Sequence, residues 1–447
     1  VPFRAFRLFQ ENDRVTGRLT DVELDDLSPG EVVVKVAYSS VNFKDALAAT
    51  GQNKVARRFP LVGGIDLAGI VESSTDPRFR KKDPVLAAGF NLGVSHDGGY
   101  AEYARVPADW IVPMPPGLNA LEAMTIGTAG FTAALSILDM ERNGLTPAMG
   151  PVIVTGATGG VGSMGVACLA ARGYQVTALT GKDTEHDFLR SLGAKTILSR
   201  TDLVLGTRPL EKAQWAGAVD CVGGDILAWL TRTMMPTGCI AASGLTAGSE
   251  LHTTVMPFIL RGVKLLGIDT TTVPADRRKD IWRHLAQDMK PAHLKMMAQE
   301  ITLDDLPKAF DTLLAGGRFV GIPDAVYDYR RHGESETAKL TASTDRFDEE
   351  IATELRMTEN AWRRVTGGEL IPYFRPPYGS HDARTDAAVA ARGYPTVVMW
   401  DTSNGDTKKG VTTKASIAAG TKGENRSIVL LHAGPDITPR VLGAIIA

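Results

Sequence analysis

The sequence predicts an α/β protein in which a β-rich domain leads into a doubly wound parallel sheet. Three observations predict it. Val152-Ile153-Val154-Thr155 is a β-branched run followed at once by glycines at 156, 159, 160 and 162, then by a small, apolar stretch from Ser163 to Arg172. That is the order strand, glycine turn, helix. Further short apolar runs alternate with helical patterns after it, as a parallel sheet covered on both faces requires. Before it, from Arg4 to about Glu122, strand-like segments are punctuated by Gly and Pro.

In chain order, Glu31 to Val41 alternates with period two and reads as a strand. Pro60, Gly63-Gly64, Gly69, Pro77, Gly98-Gly99 and Pro115-Pro116 mark the loops of a compact β domain. Ala123 to Leu138 reads as a helix leading into the second domain. After the first strand and its glycine turn, Tyr174 to Leu179 is the second strand and Thr184 to Leu192 a short helix. Gly193 stands where a helix C-terminus prefers glycine. Thr196-Ile197-Leu198, Gly217 to Val222 and Gly238 to Ser243 are the next strands, and Pro257 to Asp269 closes the unit. Leu303, Leu306, Phe310, Leu313 and Leu314 form the apolar face of one more helix.

The glycine turn carries chemistry. Its spacing is G-x-x-G-x-x-G, which lets the backbone bend sharply and approach a pyrophosphate. The new helix aims unpaired N–H groups and its positive dipole end at the anion. The competing reading is an ordinary glycine-rich turn. The second strand indicates which nucleotide. An NAD-binding fold ends it in Asp or Glu to hold the ribose 2′-OH. Here Thr180-Gly181-Lys182 stands there, with no carboxylate to repel a 2′-phosphate. The expectation is NADPH over NADH; the alternative for Lys182 is a surface side chain in a turn.

Hydrophobic content of 44% and charged content of 22% over 447 residues are ordinary for two to four globular domains. A net charge of −2 argues against a nucleic-acid or anionic-membrane partner. No apolar run approaches a membrane span and no signal peptide is recognised, so a cytoplasmic location is expected. Cys168, Cys221 and Cys239 lie among apolar or small residues and read as buried small side chains.

Several long phrases make residues 3 to about 321, about seven-tenths of the chain, resemble the zinc-free medium-chain dehydrogenase/reductases, and within them the NADPH-dependent acryloyl-CoA reductases. They are S-S-V-N-F-K-D-A-L-A from Ser39, F-P-L-V-G-G-I-D-L-A-G from Phe59, D-P-R-F from Asp76, I-G-T-A-G-F-T-A from Ile126, R-P-L-E-K-A-Q-W-A-G-A-V-D from Arg208 and T-T-V-M-P-F-I-L-R-G-V from Thr253. The resemblance implies a GroES-like catalytic domain split around a Rossmann domain, commonly dimeric. The expected division is 1–122 catalytic, 123–269 Rossmann, 270–321 a return to the catalytic domain, and 322–447 a tail.

The resemblance also implies site residues. Thr158, Gly159, Gly160 and Val161 form the pyrophosphate turn. Thr180, Gly181 and Lys182, with Arg200 beyond the third strand, form the 2′-phosphate pocket; Lys182 stands where the family often has Arg. Leu245, Ile259 and Thr270 line the nicotinamide side. Phe43 stands where close relatives carry Tyr, so a hydroxyl is missing beside the nicotinamide. No metal is expected, because the zinc-ligand regions read Gly64-Ile65-Asp66 and Val41-Asn42-Phe43. Such a site suits hydride delivery to the β-carbon of a 2-enoyl thioester, most simply acryloyl-CoA giving propanoyl-CoA. The developing enolate oxygen needs fixed donors, for which Asn42 and nearby backbone amides are the candidates. Lys44 and Asp45 are expected to form a structural ion pair, and His96 to be a surface loop residue, the alternative being a loop histidine in the cleft.

From about Val326 the composition changes. Phe347, Ile351, Leu355 and Trp362 keep helical spacing. F-R-P-P-Y-G from Phe374, V-V-M-W-D from Val397 and S-I-V-L-L-H from Ser427 resemble the later part of the polysaccharide deacetylase family. The tail is thus read as a partial α/β deacetylase-like domain. The resemblance gives Arg375, Asp401 and His432 as support for the catalytic base, network member and general acid. The family's metal-binding phrases are absent upstream: His332 is alone in its stretch, and His381 follows the proline turn. No deacetylation is therefore expected. At Gly321 the family's final strand is replaced by I-P-D-A-V-Y-D-Y, so Ile322 to Tyr329 is expected as a substitute edge strand. The rival readings are a quinone or enone reductase, a zinc-dependent deacetylase if the tail is active, and a protein that holds NADPH without turnover.

Overall fold

Alternating β-branched segments at the start of the chain build two antiparallel sheets. β1 (Phe3–Glu11) and β2 (Arg14–Val22) pair along their full length, and β4 (Leu61–Val62) adds to β1. β3 (Val32–Tyr38) lies inside a five-stranded sheet of order β7-β3-β5-β6-β8, with β5 (Asp66–Ser74), β6 (Pro84–Ala88), β7 (Tyr103–Val106) and β8 (Val112–Pro113). Its inward residues, among them Val32, Val34, Leu67, Val71 and Val85, form one core. The computed structural model describes residues 2–12 and 14–315, and beyond them four two-residue strands. The chain divides into two units, Val1–Ala325 and Val326–Ala447.

A short helix that the sequence pattern did not announce, α1 (Phe43–Ala49), packs beside the three-stranded sheet. Its partner there is α8 (Leu306–Leu314), from the far end of the first unit. Phe310 of α8 stands edge-on to Phe6 and tilted against Tyr100. The chain thus returns to the domain in which it began.

Between these visits it builds a six-stranded parallel sheet of order β11-β10-β9-β12-β13-β14. The strands are β9 (Val152–Thr155), β10 (Val176–Thr180), β11 (Thr196–Ser199), β12 (Trp215–Asp220), β13 (Met234–Ala242) and β14 (Lys264–Gly267). Counted from β9 the order is 3-2-1-4-5-6, the doubly wound arrangement whose ligand crevice lies where the order reverses, between β9 and β12. Its helices are α3 (Gly160–Ala171), α4 (His186–Ser191), α5 (Gly224–Thr233) and α6 (Met256–Arg261), and α7 (Ala275–Ala286) follows β14.

α2 (Ala120–Arg142) joins the two architectures. Asn119 opens it with a reciprocal cap: its Oδ1 accepts from Glu122 N at 2.8 Å, and Glu122 accepts from Asn119 N at 3.2 Å. At Gly127 the helix breaks, with φ 51° and ψ −160°. By length and composition α2 is apolar enough to cross a membrane, which corrects the expectation that no run approaches that length. Its apolar residues are covered by protein: Ile126, Phe131, Leu135, Ile137 and Met140 belong to the central core.

Arg278 of α7 is fully buried and ties these parts together. Nη1 donates to Ala88 O at 2.7 Å and Nη2 to Thr270 O at 2.8 Å, while the Phe90 and Phe131 rings flank the guanidinium. Burial pulls its pKa down to about 10. The three cysteines are free, Cys168 and Cys239 buried and Cys221 half-buried; burial pushes the Cys168 and Cys221 thiols up to about 12.

The second unit is described only at its short parallel pairs, Tyr373–Phe374 with Thr396–Val397 and Thr402–Ser403 with Val429–Leu430. The substitute strand expected at 322–329 lies outside the described residues, as do the surroundings of Arg375, Asp401 and His432.

Candidate active site

The turn after β9 is shaped by what its glycines exclude. Gly156 takes φ +59°, and its carbonyl accepts from Gly159 N at 2.9 Å. A Cβ on Gly162 would stand 2.2 Å from Gly156 O, and one on Gly160 would stand 3.3 Å from the Ala129 Cβ. α3 starts at once and has no side-chain cap, so its first amides keep their hydrogens for an anion. Beneath the turn, Thr155 Oγ1 donates to Asp220 Oδ1 at 2.6 Å, and Asp220 Oδ2 accepts from Gly223 N at 2.9 Å. These bonds lock the ends of β9 and β12 at the crevice. Burial holds the Asp220 carboxyl above its usual range.

The corner expected to take the 2′-phosphate lies at the parallel ends of β10 and β11, where Thr180 is paired in register with Ser199. Thr180 Oγ1 accepts from Lys182 N at 3.1 Å. The Arg200 guanidinium lies against Gly181: a Cβ there would be 3.1 Å from Nε and Nη2. Ser199 Oγ and Thr201 Oγ1 are 2.7 Å apart beside it. The expected residues Thr180, Gly181, Lys182 and Arg200 therefore share one corner. Ser199 and Thr201, which the sequence reading missed, add hydroxyls to it.

Facing the glycine turn is the loop before α1. Asn42 shares with Thr158, Gly159 and Gly160 the wall of a cavity of about 230 Å³. Asp66, fully buried at the start of β5, organises this side. Its Oδ1 accepts from Ser40 N at 2.8 Å. Its Oδ2 accepts from Ser40 Oγ at 2.5 Å, Thr128 Oγ1 at 2.9 Å, Thr128 N at 3.0 Å and Asn42 Nδ2 at 3.2 Å. Thr128 N is a free helical amide because α2 breaks one residue earlier, so Asp66 acts as an N-cap supplied from another element. A Cβ on Gly127 would stand 2.7 Å from Ser40 Oγ.

Asn42 Nδ2 also lies 3.1 Å from Asp45 Oδ2 and 3.0 Å from Ser40 Oγ. Two carboxylates fix the orientation of the amide, since only its nitrogen donates. Its two hydrogens are committed, and the remaining polar atom, Oδ1, is an acceptor. As placed, Asn42 has no donor left for an enolate oxygen. Asp45 is not the ion-pair partner expected for Lys44. Its carboxylate is buried and accepts from Asn42 N at 2.9 Å and Ile65 N at 3.0 Å. Burial first, and then the Asp66 charge, pushes its pKa up to about 7. Lys44 is half-buried, and desolvation lowers its pKa. His96 is not on the surface either: it is buried, with Nδ1 3.0 Å from Asp97 O, Nε2 3.0 Å from Pro29 O and its ring edge-on to Trp110.

Phe43, Leu245 and Ile259 stand outside that cavity's wall, 47%, 65% and 73% exposed. Thr270 uses its carbonyl on Arg278. Ser40, Asp66 and Thr128 were missed as site residues. The available signal was a single Asp inside the apolar run Leu61 to Ala68, because a buried carboxylate demands donors. Among the described residues, no three His, Cys, Asp or Glu side chains are grouped to share a metal ion.

A split β domain, a doubly wound sheet and a cleft between glycine turn and catalytic loop define a two-domain oxidoreductase. Residues 28–116 match the alcohol dehydrogenase GroES-like domain, and residues 160–287 match the zinc-binding dehydrogenase family. The chain belongs to the medium-chain dehydrogenase/reductase family. It is 48% identical over 314 residues to YhfP of Bacillus subtilis, named as a quinone oxidoreductase, covering 70% of this chain and 95% of that one. The YhfP crystal structure with NAD bound matches at a TM-score of 0.69 and 47% identity, over 71% of this chain and 97% of that one. The acrylyl-CoA reductase AcuI of Ruegeria pomeroyi is 45% identical over 308 residues, 69% of this chain and 93% of its own. The yhdH oxidoreductase of Salmonella enterica in complex with NADP matches at a TM-score of 0.68 and 47% identity, over 70% of this chain and 96% of that one.

Proposed function

We propose that this NADPH-dependent oxidoreductase reduces the C=C bond of a 2-enoyl thioester, most simply acryloyl-CoA to propanoyl-CoA. The observation that carries the reading is the shared cavity: Asn42 and the pyrophosphate turn line one space between the domains. The 45% identity to AcuI over nearly its whole length supports the substrate class. The residues present fit the cofactor. Thr158, Gly159, Gly160 and Val161 would hold the pyrophosphate on the amides of α3. Thr180, Gly181, Lys182 and Arg200, with no carboxylate among them, would receive the 2′-phosphate. Phe43, Leu245, Ile259 and Thr270 would flank the nicotinamide, and the exposed apolar surface of the first three suits cover by a ring. When bound, the dihydronicotinamide supplies a hydride to the β-carbon.

The chain's own groups then do the rest. The 39–42 loop walls the acceptor site: Ser40 N and Asn42 N are spent on Asp66 and Asp45, and Asn42, its side-chain hydrogens also committed, shapes the pocket. Phe43 has no proton to give, so water protonates the α-carbon. A homodimer in the cytoplasm suits this reading: among the described residues β14 pairs only with β13, and Val255, Leu260 and Leu265 are exposed nearby. No deacetylation is ascribed to the tail, since Arg375, Asp401 and His432 lack the metal-binding phrases that such chemistry needs.

The relation to YhfP favours a second reading, reduction of a quinone. NADPH oxidation measured against acryloyl-CoA, crotonyl-CoA and a benzoquinone separates the two. The first reading expects a kcat/KM for acryloyl-CoA at least tenfold above that for the quinone. The reverse order would overturn it.

A further inference from the structure

Asp66 is buried without a cationic partner among the described residues, yet it is not isolated. Five hydrogen bonds reach its carboxylate, from Ser40 N and Oγ, Asn42 Nδ2, and Thr128 N and Oγ1. A sixth ties its carbonyl to Ser39 Oγ at 2.7 Å. Donors to a buried anion are strong and directional, and losing the acceptor strands all of them at once. The donors come from two elements that meet at the cavity. The 39–42 loop carries the catalytic-domain wall of the cavity. Thr128 opens the second half of α2, whose Ala129 also lines the cavity and faces Gly160.

We propose that Asp66 is the positioning residue of this enzyme: its carboxylate sets the 39–42 loop against the restart of α2, and thereby against the pyrophosphate turn. It touches neither acceptor nor cofactor; it acts through Ser40, Asn42 and Thr128. The inference rests on the cavity being the acceptor site. It does not depend on which acceptor is used.

Asp66→Asn keeps the size of the side chain but presents an amide where donors already converge. With the acceptor that the unsubstituted protein turns over, whether acryloyl-CoA or a quinone, kcat is expected to fall at least tenfold. NADPH affinity, followed by cofactor fluorescence, should stay within threefold, because the glycine turn and the corner at Thr180 do not contact Asp66. Thr128→Val removes one donor, keeps the helical amide, and should lower kcat about threefold with the same unchanged affinity; it remains informative if Asp66→Asn does not fold. A kcat within twofold of the unsubstituted protein in the variants that fold would overturn the assignment. So would a loss of NADPH affinity in step with kcat, the mark of general destabilisation. If no acceptor is turned over, the functional reading fails, and amide hydrogen exchange decides this one separately. Thr128→Val, or Asp66→Asn where it folds, should speed exchange at residues 39–42 and 127–129 and leave 156–163 unchanged; unaltered exchange at the first two segments would refute it.

Discussion

The two walls of the cleft are built in opposite ways. The nucleotide wall is local: Gly156 to Gly162 form one turn, and its shape follows from side chains that are missing. The wall proposed as catalytic is assembled from separated stretches: an acceptor at Asp66, a hydroxyl at Ser40, an amide at Asn42 and a helix start at Thr128. The first wall is held by sterics, most tightly at Gly162. The second is held by charge, which responds to protonation and to isosteric neutral substitution.

Three substitutions sharpen this contrast. The largest effect is expected on the steric wall. Gly162→Ala puts a Cβ 2.2 Å from Gly156 O, so the turn must open. NADPH affinity should fall at least 100-fold, about 2.7 kcal/mol; titration by cofactor fluorescence checks this. A variant that binds normally would mean the turn is softer than its contacts require. Next is Arg200→Ala, which empties the corner over Gly181. It should lower kcat/KM for NADPH about tenfold, about 1.4 kcal/mol, and leave NADH unchanged. Equal losses with both cofactors would remove the 2′-phosphate from that corner.

The smallest effect lies on the charged wall and is seen as pH dependence. Asp45 titrates near 7 in the folded protein against an ordinary 3.8, so the folded state holds a proton that the unfolded chain releases. Its contribution to stability is complete below about pH 4 and is lost as pH rises through about 7. Asp45→Asn cannot titrate. The melting temperature of the unsubstituted protein relative to the variant should therefore fall between pH 4 and pH 8, by roughly 6 °C. A constant difference in calorimetry would show that Asp45 stays ionised throughout.

The same contrast explains what could be read from the chain. Strand β9, its glycines and α3 were legible because their residues are adjacent and each follows a local rule. Thr180 and Gly181 were read from the end of the second strand and Arg200 from the family resemblance; the three share a corner because the ends of neighbouring parallel strands converge. The catalytic wall was not. Asn42 was picked out, but its role as a donor depends on which atoms it meets, and Asp45 and Asp66 consume its hydrogens. Adjacent opposite charges suggested an ion pair for Lys44 and Asp45, yet burial and the Asn42 and Ile65 amides claimed the carboxylate. His96 looked like a loop residue, and two backbone carbonyls and Trp110 enclose it. Hydrogen-bond partners drawn from distant segments leave no periodicity to read.

The break at Gly127 gives α2 a mechanical character. The part after the break runs about 22 Å, at 1.5 Å per residue, to Arg142. Pivoting it by about 5° at its base would swing the far end by about 2 Å, because a stiff rod of that length multiplies a small angle. The base is pinned by one carboxylate. A tilt at that pin would therefore be smallest at Thr128 and largest at the Arg142 end of the rod.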